Sequence, residues 1–204
     1  MPPARHAFIY LASQSPRRRE LLRQIGVRHE LLIADAGEDA ESLEAERPGE
    51  LPADYVQRVT RAKLAAARER LRSRALQPAP VLCSDTTVAL GTRILGKPRD
   101  AAHAIATLRL LSGRTHRVLT AVALFDGRRS RFALSVSRVR FAHMPVAEIE
   151  RYVRSGEPFG KAGGYAIQSH VAAWISHVEG SYSAIMGLPL YETAQLLRQA
   201  RVAF

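Results

Sequence analysis

Cys83 is the only thiol in the 204 residues. An internal disulfide is therefore excluded, and the chain fits a reducing compartment. Long apolar runs are also missing, since none is long enough to cross a bilayer. Arg5 and His6 precede only a short apolar run, which reads as a first strand and not as a signal peptide. The expected location is the cytoplasm. No Walker P-loop, G-x-G-x-x-G fingerprint or zinc-ligand spacing is present. The seven histidines are scattered, and no Ser-His-Asp constellation stands out. Internal repeats, low-complexity tracts and long linkers are absent, so one domain across residues 1–204 is expected. Acidic residues are scarce, 19 against 30 Lys and Arg, and seven of them crowd into residues 35–50 beside the single base Arg47. The rest of the chain is strongly basic. That balance suits an anionic ligand such as a nucleotide or nucleic acid, and equally an arginine-rich proteome in which the charge means little. With no helix-turn-helix, no exposed stacking aromatics and dispersed basic residues, nucleic-acid binding is not expected.

What is present is organised around residues 11–22, Leu-Ala-Ser-Gln-Ser-Pro-Arg-Arg-Arg-Glu-Leu-Leu. Residues 8–12 read as a buried strand. Ser15 is placed as an N-cap, Pro16 suits the first helical turn, and Gly26 can end the helix in a left-handed conformation. Arg17, Arg18 and Arg19 put three cations at a helix start that already carries partial positive charge. Such a cluster is either a solvated basic turn or a place where an anion sits on free N–H groups, hydroxyls and guanidinium forks.

The remaining chain alternates between strand and helix signals. Residues 29–34 read as a second strand and residues 53–74 as a helix, with Lys63 beside its buried face. Residues 81–90 form a β-branched strand interrupted by Asp85. A carboxylate there is costly unless it has a partner. It is either a structural aspartate bonded to a neighbouring loop, or a metal ligand or general base. Cys83 reads as a small buried hydrophobe. Lys97 follows in a rigid loop, and Asp100 caps a helix that ends at Gly113. Residues 115–125 and 132–141 form a hairpin around Asp126-Gly127, with a bulge expected from the uneven spacing of Val136, Val139 and Phe141. Pro145 opens a short helix. Residues 156–168 gather four glycines around Lys161, so the backbone there can approach a ligand closely. Residues 170–178 read as a strand, and Pro189 begins a last amphipathic helix.

Taken together, these pieces resemble the Maf family of nucleoside triphosphate pyrophosphatases. The matching segments are residues 11–22, Ser84-Asp85-Thr86 with Val88, Gly96-Lys97-Pro98, residues 111–116, Lys161-Ala162-Gly163 through Ile167-Gln168, and Glu179-Gly180-Ser181-Tyr182 with Gly187-Leu188-Pro189. Ser84 in place of alanine, Gly160 in place of an acid and Ala166 in place of glycine depart from the family pattern. The resemblance implies an α/β fold, a mixed twisted sheet with flanking helices and two lobes around a central cleft, similar to inosine triphosphate pyrophosphatases. It implies hydrolysis of a nucleoside triphosphate to the monophosphate and pyrophosphate with a divalent cation, Mg or Mn, and a homodimer. Asp85 becomes the expected general base. Ser13, Ser15, Arg17, Arg18, Lys63, Lys97 and Lys161 become substrate-binding residues, and Glu38 and Asp39 join Asp85 as metal ligands. Arg17, Thr86 and Gln168 match the branch that resembles dTTP and UTP pyrophosphatases. The alternatives are a pyrophosphatase for modified purine nucleotides such as 7-methyl-GTP, and a non-catalytic regulator of septum formation that binds nucleic acid or a division protein.

Overall fold

β-branched and small residues at positions 81–90 suit a strand covered on both faces. In a computed structural model, which describes residues 5–35, 37–38 and 42–204, this segment is the centre of the sheet. The elements run β1 (Ile9–Leu11), α1 (Pro16–Gln24), β2 (His29–Leu31), α2 (Pro52–Ser73), β3 (Val81–Leu90), β4 (Arg93–Leu95), α3 (Ala101–Leu111), β5 (Thr115–Phe125), β6 (Ser130–Phe141), α4 (Val146–Arg154), β7 (Ile175–Glu179), α5 (Tyr182–Met186) and α6 (Leu190–Gln199). The strands order as β2-β1-β3-β5-β6-β7, with β4 paired to β3. β1 is parallel to β2 and β3, and β3, β5, β6 and β7 pair antiparallel in turn. The fold is thus α/β with a mixed sheet flanked by helices. Asp35 and the residues after it lead into the acidic segment, of which Asp39 lies outside the described residues.

Side chains of a strand point alternately to opposite faces, and that alternation assigns the chemistry of β3. Val81, Cys83 and Ala89 pack against α2, through clusters containing Leu64 and Ala67 at one end and Tyr55, Val56 and Val59 at the other. Leu82 and Val88 face the opposite side. Leu82 packs with α1 and α6 through Leu22 and Leu197, and Val88 packs with α3 and α4 through Leu108 and Ile149. Both faces lose their apolar packing at the same level. Asp85 and Thr87 interrupt the α2 face, and Ser84, Thr86 and Thr120 interrupt the other. A polar cleft opens at this interruption.

Two details differ from the sequence reading, and a third, the bulge, falls on one side of its strand only. The second strand is shorter than expected, ending at Leu31. Residues 170–174 form a 3-10 turn before β7 instead of strand, because Ser169 ties the preceding chain back through its Oγ to the Ala166 carbonyl at 2.9 Å and to the Tyr152 hydroxyl at 3.2 Å. The β5–β6 pairing runs without a break. Val136 simply lies on the exposed face while Val139 and Phe141 lie on the buried one, and the register shift falls between Arg140 and Phe141 on the β7 side.

Candidate active site

The start of α1 forms as its residues suggest. The Ser15 Oγ accepts from the Arg18 amide at 3.4 Å, Pro16 occupies the first turn, and no acid lies in that turn. Gly26 closes the segment at φ 74°. The three arginines then part company. Arg18 turns inward and spends its guanidinium on the protein: Nε donates to the Gly187 carbonyl at 2.7 Å, Nη1 to the Ser13 Oγ at 3.1 Å and Nη2 to the Thr86 Oγ1 at 3.5 Å. Burial lowers its pKa, with Asp85 pulling the other way. Arg17 has no hydrogen-bond or ion-pair partner among the described residues, and burial lowers its pKa as well. Ser84, where the family usually has alanine, reaches the carbonyls of Ala121 at 2.9 Å and Gly187 at 3.0 Å, so its buried hydroxyl is satisfied.

On the other face of β3 the Asp85 carboxylate meets α2. Lys63 Nζ donates to Asp85 Oδ1 at 2.6 Å and to Glu44 Oε1 at 2.6 Å, and Lys97 Nζ donates to Glu44 Oε2 at 2.7 Å. The result is a chain of alternating charge, Asp85, Lys63, Glu44, Lys97. Burial opposes ionisation of Glu44, but the two lysines outweigh it and hold its pKa below the usual range. Charge-assisted bonds of this kind are short and strong.

The glycine-rich segment forms the facing wall. Gly163 sits at φ +69°, and a Cβ there would come within 2.9 Å of Val88. Its amide donates to the Gly96 carbonyl at 3.1 Å, which ties the loop of Lys161 to the loop of Lys97. Lys161 donates from Nζ to the Glu157 carbonyl, and burial and Arg17 lower its pKa.

A cleft of about 860 Å³ collects Ser13, Ser15, Arg17, Arg18, Glu38, Lys63, Asp85, Thr86, Lys97, Lys161 and Gln168 in one lining. Glu38 lines its edge but is engaged elsewhere: Arg70 grips it with Nε to Oε1 at 2.9 Å and Nη2 to Oε2 at 2.5 Å, and this fork draws its carboxyl down to about 2. Asp39 lies outside the described residues. The acid that the structure places between the lysines is Glu44, which the sequence left undistinguished among its six acidic neighbours in residues 35–50. No spacing rule marks it out, because a tertiary contact with α2 selects it.

Behind the cleft, His116 is buried with Nε2 2.6 Å from the Tyr165 hydroxyl and Nδ1 without a partner among the described residues. Burial pulls its pKa to about 4. The unfolded imidazole titrates at about 6.5, so acid favours the unfolded chain. Stability is intact above that pH, falls progressively as pH drops toward 4, and loses about 3 kcal/mol from this residue. Thermal melts from pH 7.5 to 4 check this, and His116→Phe is expected to flatten that part of the curve.

A family model described as Maf-like protein matches residues 8–200. The chain is 63% identical over 199 residues, 98% of this chain and 100% of the relative, to a "dTTP/UTP pyrophosphatase" of Cupriavidus pinatubonensis. It is 63% identical over 193 residues to a protein of that name from Polaromonas sp., covering 95% of this chain and 96% of the relative. Against the one from Ralstonia nicotianae it is 61% identical over 201 residues, 98% of this chain and 97% of the relative. With a family match over nearly its whole length and relatives of this identity, the chain belongs to the Maf family.

Proposed function

We propose that this protein hydrolyses nucleoside triphosphates, dTTP and UTP foremost, to the monophosphate and pyrophosphate. The observation that carries the reading is the Asp85–Lys63–Glu44–Lys97 chain at the base of the cleft, facing the arginine-bearing start of α1. The names of the relatives supply the substrates.

Water attacks the α-phosphorus in line with the leaving pyrophosphate. One P–O bond forms, the α–β bridging bond breaks, and the water's proton needs an acceptor beside the attacking oxygen. Asp85, the one carboxylate in β3 and held by Lys63, fills that role. Lys63 and Lys97 already lie at a carboxylate, and a polyphosphate offers them stronger anionic partners. Charge building on the leaving group is stabilised by such preset cations. We infer a divalent cation that Asp85 and Glu44 would hold; no cluster of three metal-ligating side chains exists among the described residues, so substrate phosphates would complete its shell. Asp85 and Glu44 offer hard carboxylate oxygens joined through one lysine, and Mg²⁺ is commonly held by one or two carboxylates together with substrate phosphates. When bound, the ion would polarise the phosphoryl oxygens. Arg17, Thr86 and Gln168 are assigned to base selection, Gln168 because its amide offers both a donor and an acceptor to the edge of uracil or thymine. A homodimer is inferred from the family resemblance, and a cytoplasmic setting from the single thiol, Cys83, which is buried and free. No helix among the described residues is long and apolar enough to cross a membrane.

Pyrophosphate release from a panel of nucleotides, with Mg²⁺, Mn²⁺ or a chelator, tests the reading. Fastest turnover of dTTP and UTP, abolished by the chelator, is the expected result. A preference for 7-methyl-GTP transfers the protein to the purine branch. No hydrolysis at all, together with salt-dependent DNA binding that survives Asp85→Asn, overturns the enzymatic reading in favour of a regulator.

A further inference from the structure

Glu44 sits in a short exposed segment that has one 3-10 turn, Ser42–Glu44, and an Ala45 amide bonded back to the Ser42 carbonyl at 3.2 Å. So little local structure does not fix a carboxylate to hydrogen-bonding precision between two lysines. The fixing comes from α2. The Tyr55 hydroxyl donates to the carbonyl of Glu44 itself at 2.9 Å. Arg58, one turn further along the same face, donates from Nη1 to the Leu43 carbonyl at 3.5 Å and from Nη2 to the Ala45 carbonyl at 2.8 Å. The same guanidinium grips Glu50 with Nε to Oε1 at 2.6 Å and Nη2 to Oε2 at 2.7 Å. Three consecutive carbonyls, those of residues 43, 44 and 45, are therefore held by two side chains.

We propose that Tyr55 and Arg58 are positioning residues of this active site: they clamp the main chain at Glu44 and on either side of it, and so set its carboxylate between Lys63 and Lys97. The inference rests on the proposed pyrophosphatase reading. Tyr55 lines the cleft, but the hydrogen bonds of both residues go to the carbonyls of residues 43–45 and to Glu50, not to Asp85, Lys63 or Lys97. The Tyr55 ring is 8% exposed and packs with Val56 and Val59, so its hydroxyl projects from a rigid base. The Arg58 guanidinium lies 5.5 Å from that ring, which braces the fork. Lys63 belongs to the same helix, so the clamp and the lysine it serves move as one body. The grip is on carbonyl oxygens and does not depend on the identity of the side chains at 43 and 45. It does require a planar fork, which lysine lacks.

Arg58→Lys and Tyr55→Phe test the clamp, each made in the full chain with and without Glu44→Gln. Displacing such a supporting contact is expected to lower kcat/KM for dTTP by about 10- to 100-fold. In the Glu44→Gln background each change is expected to cost less than about twofold, because the group it positions is already lost. Tyr55→Phe removes one oxygen atom and keeps the ring in its packing, so it remains informative if Arg58→Lys proves unstable. A glutamate-specific endopeptidase supplies a readout independent of nucleotide hydrolysis. Cleavage after Glu46 is expected to accelerate in Arg58→Lys and in Tyr55→Phe. Equal costs in both backgrounds, or unchanged activity and proteolysis in the single variants, overturn the clamp. Faster proteolysis with a fully active Glu44→Gln overturns the positioning role and leaves a structural clamp only, whereas an inactive parent protein locates the failure in the pyrophosphatase reading.

Discussion

Replacing Asp85 with asparagine is expected to lower kcat by about 10²–10⁴-fold, the scale on which a positioned proton acceptor contributes, while leaving the fold in place. The two side chains have nearly the same volume. Asparagine keeps an oxygen that can accept the Lys63 proton now donated at 2.6 Å, and the backbone pairing of position 85 with Ala121 does not involve the side chain. What is lost is the negative charge, and with it both the capacity to take a proton from water and one of the two carboxylates suited to a divalent ion. Steady-state rates with saturating dTTP and Mg²⁺, beside a melt of each protein, separate the two effects. A variant that melts normally and turns over at the parent rate removes Asp85 from the chemistry.

The position of Asp85 explains how much of the site could be read from the chain. A carboxylate inside a β-branched strand is a local anomaly, and period-two alternation already assigns it to the face opposite Ser84 and Thr86. Lys63 was legible for the same reason: it borders the apolar stripe of α2 and is half-buried there. The helix start at Ser15, the cap at Asp100 and the turn at Asp126-Gly127 all rest on contacts within a few residues, and each formed as the sequence implies. Glu44 was not legible. Its selection depends on Tyr55, Arg58, Lys63 and Lys97, which are 11, 14, 19 and 53 residues away. Nor did the arginine run reveal its division of labour. Only the approach of Gly187, 169 residues downstream, turns Arg18 into an internal brace and leaves Arg17 as the cation of the run that lines the cleft without a partner among the described residues. Composition points to an anionic ligand, but the tertiary fold decides which cations reach it.

Removing Lys63 is expected to damage stability as well as activity, and the sign of its rescue distinguishes the causes. The Asp85 side chain is 10% exposed and that of Lys63 20%, so the pair is largely out of water. Lys63→Met keeps the length and apolar stem of the side chain, so α2 still packs against β3. It leaves Asp85 charged without its ammonium and releases one oxygen of Glu44, whose other oxygen still meets Lys97 at 2.7 Å. Breaking a buried pair from one side costs more than the pair itself contributes, because a desolvated charge is left behind, and about 3 kcal/mol is expected here. Adding Asp85→Asn to Lys63→Met removes that stranded charge. The double variant should therefore be more stable than Lys63→Met alone, although it carries one more substitution. Denaturant titrations of the parent, both single variants and the double variant measure this coupling. Activity must behave differently: the double variant stays inactive because restoring neutrality restores neither the proton acceptor nor the phosphate-binding cation. If Lys63→Met unfolds at the parent's denaturant midpoint, the pair is not an energetic unit. If the double variant is less stable than Lys63→Met, the loss comes from packing and not from the unpaired carboxylate. Recovery of stability without recovery of turnover is the combination expected of a cleft that tolerates neutrality in its fold but needs both charges for its chemistry.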